Sequence, residues 1–133
     1  MRYLVPLGRL FYAAIFLLSG PRHFTAGYIG YAAQQGVPAP GVLVPLSGVL
    51  AVLGGLSIVL GYRAKAGAWL LVVFLVPVTL TMHRFWAITD PMMAAVQMAH
   101  FLKNVGLLGT ALVFTQRGAG PMSLDERGAA AAA

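Results

Sequence analysis

The sequence predicts an all-α fold, a bundle of four transmembrane helices with a short interfacial helix between the first and second spans. Three observations predict it. Charged residues make up only 9% of the chain and hydrophobic ones 59%, whereas soluble domains carry about 25% charged residues. Four apolar stretches each reach the roughly 20 residues that cross a hydrocarbon core of about 30 Å. Most of the basic residues flank those stretches, where they meet headgroups and fix orientation.

The first span is read at residues 3–20, with Pro6 tolerated in its opening turn. Arg9 interrupts this run and no A-x-A-like cleavage site follows, so an uncleaved helix is expected. The second span is residues 41–61. It carries small residues on one face (Ser47, Ala51, Gly54 and Gly61, with Gly48 and Gly55 beside them), which predicts a helix central to packing. The third is residues 64–85, where Pro77 should kink the helix and free the Val73 carbonyl. The fourth opens after Thr89-Asp90-Pro91, a capping residue followed by proline at the first helical position, and ends near Thr115.

The connections differ. Residues 62–65 form a tight basic turn and residues 86–90 a short one with Trp86 at the interface. Residues 21–40 are longer. There Phe24, Tyr28, Ile29, Tyr31 and Ala32 share one face of a short surface helix, and Gly36-Val37-Pro38-Ala39-Pro40 is a rigid non-helical stretch. Residues 1–115 are thus expected to form the transmembrane domain and residues 116–133 a tail whose alanine end frays. Arg2, Arg63, Lys65, Arg117 and Arg127 share one side against Arg22 and Arg84 on the other, which predicts both termini in the cytoplasm.

The net charge is +6, from nine Lys and Arg against Asp90, Asp125 and Glu126. In a membrane chain this balance points to lipid headgroups, and no nucleic-acid partner is expected. Absence of cysteine excludes thiol–disulfide catalysis and cysteine-ligated iron–sulfur clusters.

Gln97, His100, Lys103 and Asn104 interrupt the apolar fourth span. At roughly 100° per residue the first, second and fourth fall in a narrow arc, with Lys103 to one side. Polar groups at membrane depth are costly when they face lipid. The stripe is therefore expected to face the interior, near His83, and to line a pocket. His23, His83 and His100 all map to the outer half, but among Arg22, Arg84 and Lys103 and with no carboxylate nearby, so no metal site is expected. His23 reads as a solvated interfacial residue, and His83-Arg84-Phe85-Trp86 as an interfacial anchor group. No acid lies within any span, which leaves Arg9 and Lys103 without an in-span partner. Snorkelling, a neutral lysine, a tail that folds back and an outside ligand or subunit are the open explanations. For the tail, Ser123-Leu124-Asp125 is expected to pack on the bundle end, with Asp125 compensating Arg9, or alternatively Arg117.

Taken in order, Leu7-Gly8-Arg9-Leu10, Phe16-Leu17-Leu18-Ser19-Gly20, Gly36-Val37-Pro38-Ala39-Pro40, Gly54-Gly55-Leu56 and His83-Arg84-Phe85-Trp86 form a recognisable series. It continues through His100-Phe101-Leu102-Lys103-Asn104, Leu107-Leu108-Gly109 and the segment from Gly118 to Asp125. Over nearly its whole length the chain resembles the DoxX family of small four-helix membrane proteins. The resemblance implies a bacterial cytoplasmic-membrane protein associated with quinone-linked or thiol-stress redox systems. The chain departs from a common family pattern in placing Ala51 where an acid precedes the paired glycines.

Two functions lead. One is a small membrane subunit of a redox system that binds a quinone or similar membrane-dissolved aromatic. His83, Gln97, His100, Lys103, Asn104 and Trp86 would line its site, with Phe16 and Phe101 among the apolar walls. The chain itself supplies no cofactor for this, and no catalytic residue is assigned. The other is a non-catalytic scaffold that recruits a soluble redox enzyme through Arg63, Lys65 and the tail. A small-anion or proton transporter is a third reading and would require a homodimer.

Overall fold

The structure is a computed structural model and describes residues 3–131; Arg2 and the last two alanines lie outside the described residues. Six α-helices account for most of it: α1 (Leu4–Ser19), α2 (Ala26–Gln34), α3 (Pro40–Leu60), α4 (Ala64–Met82), α5 (Pro91–Arg117) and α6 (Leu124–Ala131). Four segments, two of them helices extended by short 3₁₀ turns, are long and apolar enough to cross a membrane: Leu4–Phe24, Pro40–Leu60, Ala64–Ala87 and Pro91–Arg117. The described residues contain no strand.

Local chemistry sets the boundaries. Asp90 caps α5 by accepting the Met93 N–H at 2.7 Å, with Pro91 at the first helical position. Thr25 caps α2 in the same way through Tyr28 N–H. Between α2 and α3, Gly36 takes a left-handed φ of +81° before the prolines. At the far end of α3, Gly61 is left-handed and Tyr62 N–H reaches back 3.0 Å to Ser57 O, closing the last turn. α4 continues through Pro77 as one helix to Met82.

α3 is the hub, packing on α1, on the Gly20–Phe24 3₁₀ turn, on α2 and on α4. Its contact face is Gly48, Ala51, Gly54, Gly55 and Ile58, all buried. A Cβ on Gly54 would collide with the Leu71 side chain of α4 at 2.5 Å, and one on Gly48 with the His23 Cβ at 2.7 Å. Lipid tails are as apolar as leucine, so such close packing replaces the hydrophobic drive of soluble proteins. Phe16, Ile58, Leu71 and Leu75 fill the core between these helices. α5 packs on α4 and on the Phe85–Ala87 3₁₀ turn. Tyr12 ties it to α1: its hydroxyl donates to Leu107 O at 2.8 Å and its ring lies 5.5 Å from Phe114.

The tail docks as expected, but by different bonds. Arg9 is 2% exposed and donates from Nη1 to Ala119 O at 3.3 Å and from Nη2 to Met122 O at 2.8 Å. Its partners are backbone carbonyls and not Asp125. Asp125 instead accepts the N–H groups of Arg63 (2.7 Å) and Ala64 (3.0 Å), and its own N–H donates to Gly61 O at 2.8 Å. The reason lies in the α3–α4 turn. Arg63 is left-handed, φ +47°, and makes no side-chain cap for α4. The open amides and the positive helix end then attract a carboxylate from elsewhere in the chain. Ser123 begins α6 in turn, accepting Glu126 N–H at 3.1 Å while Glu126 accepts Met122 N–H at 2.7 Å, a variant of the capping box. The alanine tract is helical as far as Ala131.

Asp125→Ala should therefore destabilise the protein by about 1–2 kcal/mol, the typical loss of a helix cap. Asp125→Asn should cost less, because an amide oxygen still accepts. Thermal unfolding in detergent measures both. Arg9→Met should release the tail and make the Arg117 and Arg127 bonds faster to cleave with trypsin.

Candidate functional site

A cavity of about 460 Å³ opens between the Gly20–Phe24 turn, α2, α3 and α4. Its volume lies in the range of about 300–1,000 Å³ typical of small-molecule sites. The walls are mainly apolar, with Ala32, Val44, Leu50, Phe74, Pro77 and Val78 among them. Several lining side chains, including Leu46 on α3 and Val73 on α4, are half-exposed on the outside of the bundle. The opening therefore faces the lipid side of the α3–α4 pair.

His23 is the most constrained polar group in this wall. It is 4% exposed, its Cβ fits against Gly48, and its ring is flanked by Tyr28 at 4.6 Å and the edge of Phe74 at 5.7 Å. Nδ1 lies 3.2 Å from both the Ser19 and Gly20 carbonyl oxygens. A carbonyl only accepts, so Nδ1 carries the hydrogen and Nε2 of the neutral ring is an acceptor. Two hydroxyls in the same wall are committed likewise. Ser47 donates to Val44 O and Thr81 to Pro77 O, both at 2.7 Å, which leaves their lone pairs free. The lining thus offers acceptors from three elements. Its donors are the phenols of Tyr28 and Tyr31; burial pushes the Tyr28 phenol up, so it stays protonated.

The polar stripe expected to line a pocket is divided. Gln97 and Asn104 turn inward, Asn104 with 5% exposure. His100 and Lys103 are exposed on the outer surface of α5, which corrects the expected inward stripe. The physical reason is that α5 packs chiefly on α4, along a narrow face through Asn104, Ala111 and Thr115, and meets α1 through Tyr12. A stripe wider than that face cannot be covered within one chain. His83 does join the cluster: its Nδ1 lies 2.8 Å from Gln97 Oε1 and its ring stacks on His100 at 5.4 Å. Of the six residues expected to bind a ligand, His83 lines the cavity and the other five do not. Trp86 packs with Phe85 and Phe101 beside the cluster, and Phe16 lies in the core against Tyr12 and Phe74. Among the described residues no group of three His, Cys, Asp or Glu could hold a metal ion.

Sequence reasoning missed His23, Tyr28, Ser47 and Thr81 as one constellation. They come from four segments, and each alone has an ordinary local role. Gly48 was the available signal, since a glycine in mid-helix marks a close approach by another element.

The family model described as DoxX matches residues 4–84, from the first turn of α1 to the end of the third span. The chain belongs to the DoxX family. The matched region contains every element of the cavity, whereas the fourth span and the tail lie beyond it. No curated protein and no solved structure matches the chain. This DoxX protein is thus a multi-pass membrane protein by family and by its four apolar helices.

Because the Gly48 Cα faces the His23 Cβ and Gly20 O, Gly48→Ala should push the 3₁₀ turn off α3. A loss of about 1–3 kcal/mol is expected, the usual cost of overpacking. Thermal unfolding of the variant, with Gly109→Ala as a control at an open position, checks it.

Proposed function

We propose that this DoxX protein is a small membrane subunit of a redox system that binds a membrane-dissolved aromatic in the α2–α3–α4 cavity, and that it prefers a hydroxylated form such as a hydroquinone. The observation that carries the reading is His23: a buried imidazole whose Nδ1 is spent on backbone carbonyls, leaving Nε2 to accept. An apolar ring satisfies the walls, and an O–H satisfies an acceptor that would otherwise sit unpaired in a dry site. The oxidised quinone offers only carbonyl oxygens, which meet Nε2 lone pair to lone pair and have only the Tyr28 and Tyr31 phenols as donors. The reading includes a bacterial cytoplasmic membrane with both termini inside, supported by Arg63, Lys65, Arg117 and Arg127 at one end against Arg22 and Arg84 at the other.

A second reading has its own support. Arg63, Lys65 and Arg117 line an open groove of about 740 Å³ at the docked tail, together with Asp125 and Glu126. A soluble redox enzyme could be recruited there.

Short-chain hydroquinone and quinone titrated calorimetrically into the detergent-solubilised protein test the first reading. The hydroquinone should bind stoichiometrically, and His23→Leu should weaken it about tenfold, the worth of one hydrogen bond in a closed site. Absence of binding by either form, or an unchanged affinity in a folded His23→Leu protein, would remove it. Orientation is tested by labelling Gln34→Cys and Gly128→Cys in intact cells; only the first should react with an impermeant reagent.

A further inference from the structure

The surface of α5 carries a second feature. Lys103 is exposed near the middle of a 27-residue helix. At 1.5 Å per residue its Cα lies about 18 Å along the axis from Pro91 and about 21 Å from Arg117. An ammonium at that depth is costly against hydrocarbon, and neither end of the helix is close enough for an easy reach to headgroups. The face around it is built for close approach by another backbone. Ala99 lies one turn before Lys103, and Gly106 and Thr110 one and two turns after it, all exposed. A Cβ on Gly106 or on Gly109 would meet open space, so nothing within the described chain requires glycine at either position. In membranes, small residues on a helix face let a second helix settle against it.

Charge decides what that second helix is. The chain has three acids: Asp90 is committed to capping α5, Asp125 to capping α4 and Glu126 to the start of α6. None lies in a span. A second copy docked symmetrically on this face would set Lys103 against Lys103, like charge against like in a low dielectric. We propose that the Lys103 face of α5 is the docking site for a transmembrane helix of a different protein, one that carries a carboxylate at mid-membrane depth. The carboxylate accepts from the Lys103 ammonium, Gly106 admits the partner's backbone, and His100 borders the contact one turn toward the loop end.

The test uses leucine-rich single-span peptides that carry Glu, Gln or Leu at the central position, reconstituted with the labelled full-length protein in phosphatidylcholine vesicles and followed by energy transfer. The Glu peptide should associate about tenfold more tightly than the Leu peptide, with the Gln peptide between them. Lys103→Met should abolish the Glu advantage, and Lys103→Arg should retain it. Gly106→Leu, at a position open in the structure, should fold normally and weaken association of every peptide. Equal association of the Glu and Leu peptides would overturn the proposal. So would a Glu advantage that survives Lys103→Met, or self-association of the protein that Lys103→Met removes. If the Glu advantage vanishes only when phosphatidylglycerol is included in the vesicles, the ammonium prefers lipid phosphate and the proposal also fails.

Discussion

Close approach of backbones along α3 is the constraint on which the rest of the structure depends. Gly48, Ala51, Gly54 and Gly55 bring the 3₁₀ turn, α1 and α4 to distances that a larger side chain would forbid. Gly67 returns the favour from α4, where a Cβ would run into the Ser57 side chain. The two consequences are opposite in kind. Along the lower half of α3 the neighbours interlock into a dry core around Phe16, Ile58 and Leu71. Near its start, α2 and the Gly36-Val37-Pro38 stretch stand between α3 and open surroundings, and there the packing leaves a cavity. The same glycine that seats the turn on α3 also fixes His23 in the cavity wall.

Charge is handled in this fold through the backbone. Arg9 is buried without a carboxylate and held by two carbonyls of the tail, while Asp125 is held by two amides of the α3–α4 turn. A direct Arg–Asp pair would satisfy both charges but leave the turn and the tail unconnected. Splitting the pair lets each charged group close a break in the helical hydrogen bonding, which is where unpaired backbone groups are most costly in a membrane. The tail becomes part of the bundle by this route, although it lies outside every span.

Much of this was legible in the sequence, and the failures have a common form. The four spans and the Asp90-Pro91 start follow from local composition and capping, which operate within a few residues, and the short surface helix from its one apolar face, although Phe24, read as part of that face, lies in the 3₁₀ turn before it. Docking of Ser123-Leu124-Asp125 was legible too, because a charged motif beyond the last span needs a partner. Which partner was not. Net charge pairs residues by sign, whereas the amides that Asp125 finds are exposed by the φ of Arg63, a property of the folded turn. The site failed in the same way. The cost of lipid exposure argued that His100 and Lys103 turn inward, which assumed that one chain completes its own packing; α5, which packs chiefly on α4 and leaves His100 and Lys103 exposed, does not. His23 read as solvated because nothing in its own neighbourhood shows that Gly48, twenty-five positions on, will admit it.

The cavity, walled on one side by α4, and the stripe on α5 meet at one residue. His83 lines the cavity, shares a hydrogen bond with Gln97 and stacks on His100. Gln97 Oε1 can only accept, so the contact places the proton on His83 Nδ1 and leaves Nε2 as an acceptor, as in His23. Charge placed on one side of such a ring is felt on the other, since hydrogen bonds in series polarise one another in a low dielectric. A group that donates to His83 Nε2 strengthens the Nδ1 bond to Gln97, and a cation or carboxylate beside His100 acts on the same ring through the stack. The short link between α4 and α5 is what makes this possible: it turns the chain back within a few residues and sets the end of the cavity wall directly against the start of the exposed stripe.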